Sequence, residues 1–258
     1  MMKGSVTVVK IGGVASKSDT VVEDIVKLHS AGERLVVVHG GGNLVTEWLK
    51  RQGVATTFVR GERVTDRATL EVVIAVLAGL ANKQIVAAIN ASGGRAVGLS
   101  GVDGGLIEGE IKNREMGYVG AVSRVNPGPV TALLAAGYVP VVAPVSLSAN
   151  PDECQIVNIN GDPVAGEIAL ALEAGRLVFM TDIAGVCDRS GALLPRLSAA
   201  EAAELISSGT ASGGMIPKIS AALRALSRGA VTRIVDGRAP HALVRVIEGE
   251  GGGTTIVT

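Results

Sequence analysis

The sequence predicts an α/β protein, a three-layer αβα sandwich around an open, mostly parallel sheet. Three observations predict it. Short β-branched runs alternate with longer helical patterns along the chain, the order that builds right-handed βαβ crossovers. Most of the short runs are continuously apolar, as strands covered on both faces must be. Two early runs, Val8-Val9-Lys10-Ile11 and Val36-Val37-Val38-His39, end in glycine clusters, at the carboxyl ends of strands where open α/β sheets bind ligands.

The elements follow in order. Residues 6–11 read as a strand and 20–29 as a helix, then 35–39 as a strand and 44–51 as a helix. Residues 67–90 form a long helical pattern, apolar around much of its circumference. A strand at 96–99 precedes a departure from the alternation: 106–111 and 118–125 read as a hairpin, with Glu, Lys and Asn around its turn. A helix at 129–136 and a strand at 139–143 follow. The helix at 163–172 has Asp162 just before it and Pro163 at its first position, a sound helix start. A weak boundary near 173–175 divides the chain into residues 1–173 and 174–258. Beyond it come a strand at 177–181 and a helix at 199–207, with Ser198 and Glu201 spaced as a capping box. A helix at 216–228, a strand at 231–235, a helix at 241–247 and a strand at 255–257 complete the chain.

Composition narrows the function. With 47% hydrophobic and 2% aromatic residues, the core is built from Val, Leu, Ile and Ala. The formal net charge is zero, which argues against nucleic acid as the main partner, because phosphate backbones demand clustered Lys and Arg. No run of about eighteen uncharged apolar residues is present, so no membrane span is expected. The chain enters a strand pattern within its first residues, leaving no room for a signal peptide. Cys154 and Cys187 have no CxxC partner and read as buried thiols of a reducing compartment. The three histidines have no zinc spacing. A cytoplasmic protein without a metal site of its own is expected.

Consecutive glycines let backbone N–H groups approach an anion, and a helix opening just after Gly42 adds its dipole. The plainer alternative is two tight strand-to-helix turns. Two phosphate signatures are missing: no GxGxxG follows the first strand, and no Lys follows a Gly, which excludes a Walker P-loop. Lys10 leaves an apolar run, where an unpaired ammonium would be costly. Either its stem packs on the core with the charge reaching solvent, or it is aimed at the anion that Gly12 and Gly13 cradle. Lys218 sits where a glycine turn feeds a helix, a place the helix dipole slightly disfavours for a cation.

Eight segments in order now carry a resemblance. They are VVKIGG, VVVHGGG, Gly61-Glu62-Arg63-Val64-Thr65-Asp66, Ala81-Asn82-Lys83, Ala96-Val97-Gly98-Leu99-Ser100-Gly101, Asn158-Ile159-Asn160-Gly161-Asp162, Met180-Thr181-Asp182-Ile183-Ala184-Gly185-Val186 and Gly213-Gly214-Met215-Ile216-Pro217-Lys218. Over nearly its whole length the chain resembles the acetylglutamate kinases of the amino-acid kinase family. The resemblance implies the amino-acid kinase fold. It implies transfer from ATP, with Mg²⁺ carried by the nucleotide, to the γ-carboxylate of N-acetyl-L-glutamate, a step of arginine biosynthesis. Lys10 and Lys218 would stabilise the phosphoryl group in flight, and Asp162 would orient both lysines. Gly12, Gly13, Gly41 and Gly42 would supply backbone donors, the first two at the nucleotide and the others at the substrate. Arg63 and Asn158, with Asn160 nearby, would bind the substrate's α-carboxylate end. Thr181, Asp182, Gly185, Val186, Gly214 and Met215 would lie at the nucleotide.

The chemistry agrees. A glutamate side chain, with a free pKa of roughly 4.3, is already a nucleophile at pH 7. No general base is needed, and catalysis becomes positioning plus charge neutralisation.

Three departures from the family pattern stand out: Val102 where lysine is common, Gly161 where alanine is common, and no room before Lys10 for the extra helix of arginine-inhibited hexameric members. The resemblance therefore implies a homodimer not inhibited by arginine; the apolar pattern at 67–90 reads as its surface, the plainer alternative being a fully buried helix. Carrier-linked aminoadipate kinases and a non-catalytic amino-acid or nucleotide sensor on the same scaffold are the alternatives. The 106–125 hairpin lacks the basic excess that an acidic carrier would favour.

Overall fold

A computed structural model describes residues 5–13, 19–59 and 62–258; Gly61 of the GERVTD segment lies outside them. The first half opens with β1 (Val6–Ile11), α1 (Asp19–Ser30), β2 (Arg34–His39) and α2 (Gly42–Arg51). A small hairpin follows, β3 (Phe58–Val59) with β4 (Glu62–Arg63). One continuous helical rod then comprises α3 (Arg67–Val73), a π-helical stretch Ile74–Ala81 and α4 (Asn82–Ala91). Next come β5 (Ala96–Ser100), β6 (Ile107–Ile111), β7 (Val119–Val125), α5 (Gly128–Ala135), β8 (Val139–Ala143), β9 (Val145–Ser148) and β10 (Ile156–Ile159). The remainder is α6 (Gly161–Ala171), β11 (Arg176–Thr181), β12 (Arg196–Ser198), α7 (Ala199–Ser207), α8 (Met215–Leu226), β13 (Val231–Asp236), α9 (Ala242–Ile247) and β14 (Thr254–Val257).

Eight strands form one sheet in the order β12-β14-β13-β11-β1-β2-β8-β5. Six run parallel, and β14 reverses against β13 with β12 beside it. The predicted α/β sandwich is therefore observed. Strand alternation sorts its two cores. Val8, Val36, Val38, Leu177 and Phe179 pack with α6 and α8 through Val164, Ile168, Ile219 and Ala222. Val9, Ile11, Leu35, Val37, Val178 and Met180 pack with α1, α4 and α9 through Val21, Ile25, Ile89 and Leu243. By the same alternation Lys10 follows Val8 toward α6, and His39 follows Val37 toward α4.

The predicted hairpin is present as β6 and β7, but Leu106 falls in the turn before it and the register shifts between Glu108 and Gly109. It is closed into a four-stranded ring by β9 and β10, strands of four residues each that sequence reading missed. The long helix is continuous as expected, although its middle is π-helical. It is long and apolar enough to cross a membrane by length and composition. Val72, Val73, Val76 and Leu77 instead bury against Val45, Leu49 and Ala143.

Two expectations need correction. Cys187 is exposed and Cys154 only half-buried, because both sit in connecting segments rather than in the core strands. Helix α6 begins before Pro163: Asn160 is its cap, with Oδ1 accepting from Asp162 N–H at 3.0 Å. An Asn side chain closes this turn from two residues back, so Asp162 lies inside the first turn with its carboxylate free for other partners.

Candidate active site

The carboxyl ends of β1, β2 and β11 meet where the chain order reverses across the sheet, the place an open α/β sheet leaves a crevice. Lys10 reaches into it from β1. Its Nζ lies 2.6 Å from Asp162 Oδ1, and Lys218 Nζ lies 2.9 Å from Asp162 Oδ2. Lys218 also donates to the Gly214 carbonyl at 3.2 Å. Asp162 is 3% exposed and Lys10 7%. Burial pushes the Asp162 carboxyl up, but the two ammonium groups outweigh it and hold the group below the usual carboxylate range. The cluster carries two positive charges on one negative, an excess that suits a phosphoryl group.

Close helix packing sets this geometry. A Cβ at Gly166 would sit 2.8 Å from Ala221 Cβ, so α6 and α8 approach closely there. Asp162 lies one turn before Gly166, and Lys218 just before Ala221, which brings the pair together. Gly12 does its work by absence. A Cβ there would stand 2.6 Å from Lys10 Nζ, so glycine lets the lysine fold past. Its N–H already donates to the Met180 carbonyl at 3.1 Å and is not open to a phosphate, a correction to the expected donor role. Gly13 takes a φ of +55°, beside the Asp182 carboxylate.

A cavity of about 250 Å³ opens beside the lysine. Its wall includes Lys10, Gly41, Gly42, Arg63, Asn158 and Asn160. Arg63 is 9% exposed rather than a surface loop residue. Its Nη2 donates to Gly42 O at 3.0 Å and Thr46 Oγ1 at 2.6 Å, and Phe58 covers the guanidinium at 4.7 Å. Among the described residues its Nη1 is buried without an acceptor, an unmade bond that a carboxylate would satisfy. Asn158 donates to Thr65 Oγ1 at 3.1 Å, and Thr65 in turn donates to the Arg63 carbonyl. Thr65 and Thr46 thus position the arginine and the asparagine. Sequence reading assigned them no role, although Thr65 stands inside the GERVTD segment.

The structure brings the other expected residues to the same edge of the sheet but not into this cavity. Thr181 donates to Asp182 at 3.2 Å at the end of β11, and Gly214 and Met215 open α8. Gly185 has a φ of +154°, and a Cβ there would meet Thr254 Oγ1 at 2.7 Å. Val186 is buried, and its N–H is taken by Thr254 Oγ1 at 2.8 Å. Among the described residues no group of three His, Cys, Asp or Glu could hold a metal ion.

Residues 5–236 match the model of the amino acid kinase family. The acetylglutamate kinase of Dehalococcoides mccartyi strain 195 is 50% identical over 256 residues, covering 98% of this chain and 94% of that protein. The crystal structure of smu.665 from Streptococcus mutans UA159 superposes with a TM-score of 0.84 at 28% identity, over 98% of each chain. N-acetylglutamate synthase from Neisseria gonorrhoeae, complexed with coenzyme A and N-acetyl-glutamate, superposes with a TM-score of 0.86 at 26% identity, over all of this chain and 60% of that one.

Proposed function

Because this chain belongs to the amino acid kinase family, we propose that it transfers the γ-phosphoryl group of ATP to the γ-carboxylate of N-acetyl-L-glutamate, in arginine biosynthesis. One observation carries the reading: two lysines share one buried carboxylate at a cavity whose wall also holds Arg63, its Nη1 without an acceptor among the described residues. Arg63 and Asn158 hold the α-carboxylate end of the substrate. The γ-carboxylate attacks in line without a base, since it is ionised at neutral pH. Lys10 and Lys218 balance the charge spread over the transferred group. The N–H groups of Gly41 and Gly42, at the start of α2 and without an acceptor among the described residues, face the reacting end. Mg²⁺ enters with ATP as part of that substrate.

Residues 1–173 act as the lobe for the acyl amino acid, and 174–258 as the lobe for ATP, contacted at Gly13, Thr181, Asp182, Gly185, Val186, Gly214 and Met215. The partly exposed apolar residues Ile74, Ala78 and Leu80 of the long helix form the surface of a homodimer. The enzyme works in the cytoplasm.

The test is ADP release from Mg-ATP with hydroxylamine present to trap an acyl phosphate. Hydroxamate is expected with N-acetylglutamate and not with glutamate, aspartate, carbamate, UMP or aminoadipate. No turnover on N-acetylglutamate, despite nucleotide binding, would return the chain to a sensor. Arg63→Ala should raise KM for N-acetylglutamate about tenfold or more, the scale of a lost charge-assisted pair, with KM for ATP unchanged. An equal loss for ATP would move Arg63 out of the substrate end.

A further inference from the structure

The segment Ala81-Asn82-Lys83 and His39 have no part in the transfer described above, yet they meet directly behind the glycine turn that does. We propose that His39 is a positioning residue: held by Asn82, its imidazole pins the Gly40 carbonyl and so aims the Gly41 N–H into the substrate cavity. The inference deepens the phosphoryl-transfer reading and rests on it.

The hydrogen bonds determine the tautomer. Lys83 Nζ donates to Asn82 Oδ1 at 3.0 Å, so the other end of that amide is the nitrogen. This Nδ2 lies 2.9 Å from the Val141 carbonyl, 3.2 Å from the Leu99 carbonyl and 3.2 Å from His39 Nε2. The Gly40 carbonyl beside Nδ1 can only accept, so in the neutral ring Nδ1 is the protonated nitrogen and Nε2 is left as an acceptor facing the amide. Nδ1 donates to Gly40 O at 2.7 Å. Both His39 and Asn82 are wholly buried. Burial, with Lys10 and Lys83 nearby, lowers the imidazole pKa to about 4 against the raising effect of the Gly40 bond. The ring is neutral at physiological pH.

Peptide geometry carries the effect forward. The C=O of Gly40 and the N–H of Gly41 belong to one planar trans peptide and point to opposite sides. Fixing the carbonyl on the imidazole turns the N–H away from it. Gly40, Gly41 and Gly42 line the cavity, and the Gly41 N–H has no acceptor among the described residues. A peptide between two glycines can flip at little cost, because glycine accepts either sign of φ. An anchor outside the turn is what prevents it. The surroundings are shaped for this anchor. A Cβ at Gly41 would meet Leu77 Cδ2 at 2.7 Å, so the π-helical stretch packs directly on the turn. A Cβ at Gly98 would stand 1.9 Å from Asn82 Oδ1, so glycine there leaves room for the amide.

Two variants separate the role from mere packing. His39→Asn places an amide N–H close to the position of Nδ1. His39→Gln reaches toward Nε2 and leaves the Gly40 carbonyl without its donor. We expect His39→Gln to lower kcat roughly tenfold or more, a part of the cost of losing one preorganised donor. Its KM for ATP should stay within about twofold and its Tm should match that of His39→Asn, which keeps most of the wild-type rate. Equal turnover in the two variants would overturn the assignment. A second measurement needs no turnover: ¹⁵N spectra of histidine-labelled wild-type protein should show His39 protonated at Nδ1 alone between pH 6 and 8, and protonation at Nε2 would overturn it. A wild type inactive in the trapping assay would sink the transfer reading instead, and the tautomer would then decide the His39 assignment alone.

Discussion

Lys218→Ala is expected to lower kcat by roughly 10²–10³, the scale of removing one preorganised group from a charged transition state, and Lys10→Ala to do the same. The two lysines reach Asp162 from different layers, one from β1 and the other from α8. Neither can take over the other's position. Lys10 cannot swing across without leaving the space that the missing Cβ of Gly12 provides. Steady-state ADP release at saturating ATP and N-acetylglutamate is the measurement. Loss in kcat with little change in either KM would mark charge stabilisation specific to the transition state. Wild-type turnover in both variants would remove the lysines from the reaction and leave them as ligand contacts.

Asp162→Asn should cost both rate and stability. The carboxylate is the sole anion paired with the two lysines among the described residues. Its removal leaves two nearly buried ammonium groups facing each other. Breaking a buried ion pair from one side costs about 3–5 kcal/mol; the 13% exposure of the Lys218 side chain moves the expectation to about 3 kcal/mol. Urea unfolding of the substrate-free protein reads this directly. The double variant Asp162→Asn with Lys218→Met should recover much of the stability and none of the activity, because it removes the repulsion and a reacting group together. A single Asp162→Asn variant as stable as wild type would show that the lysines do not depend on the carboxylate. The carboxyl is held below its ordinary range, so its stabilising effect is complete at neutral pH. That effect is lost only as pH falls through the lowered folded value.

The strands of the main sheet other than β12 were readable because most are largely apolar runs, and burial on both faces demands that composition. Strands β3, β4, β9, β10 and β12 were not readable. They have two to four residues, too few for a period, and exist because distant segments supply their ladder partners. At the site, Lys10 and the glycine clusters were visible as local contradictions: a charge closing a buried run, and glycines where a strand should turn into a helix. The start of α6 misled because Asp162-Pro163 is itself a good helix opening. Asn160 competed for the same cap and won, which left the Asp162 carboxylate for the lysines.

By itself the sequence determined the layers, the order of most elements and the polar residues that had to be explained, since hydrophobic period and glycine placement are local properties. Only the tertiary structure decided the pairings. Asn82 reaches His39 across 43 positions, Lys218 reaches Asp162 across 56, and Asn158 reaches Thr65 across 93. Such contacts follow from which strands lie side by side and how closely α6 packs on α8. No local pattern encodes a distance between segments that meet only when the sheet is assembled.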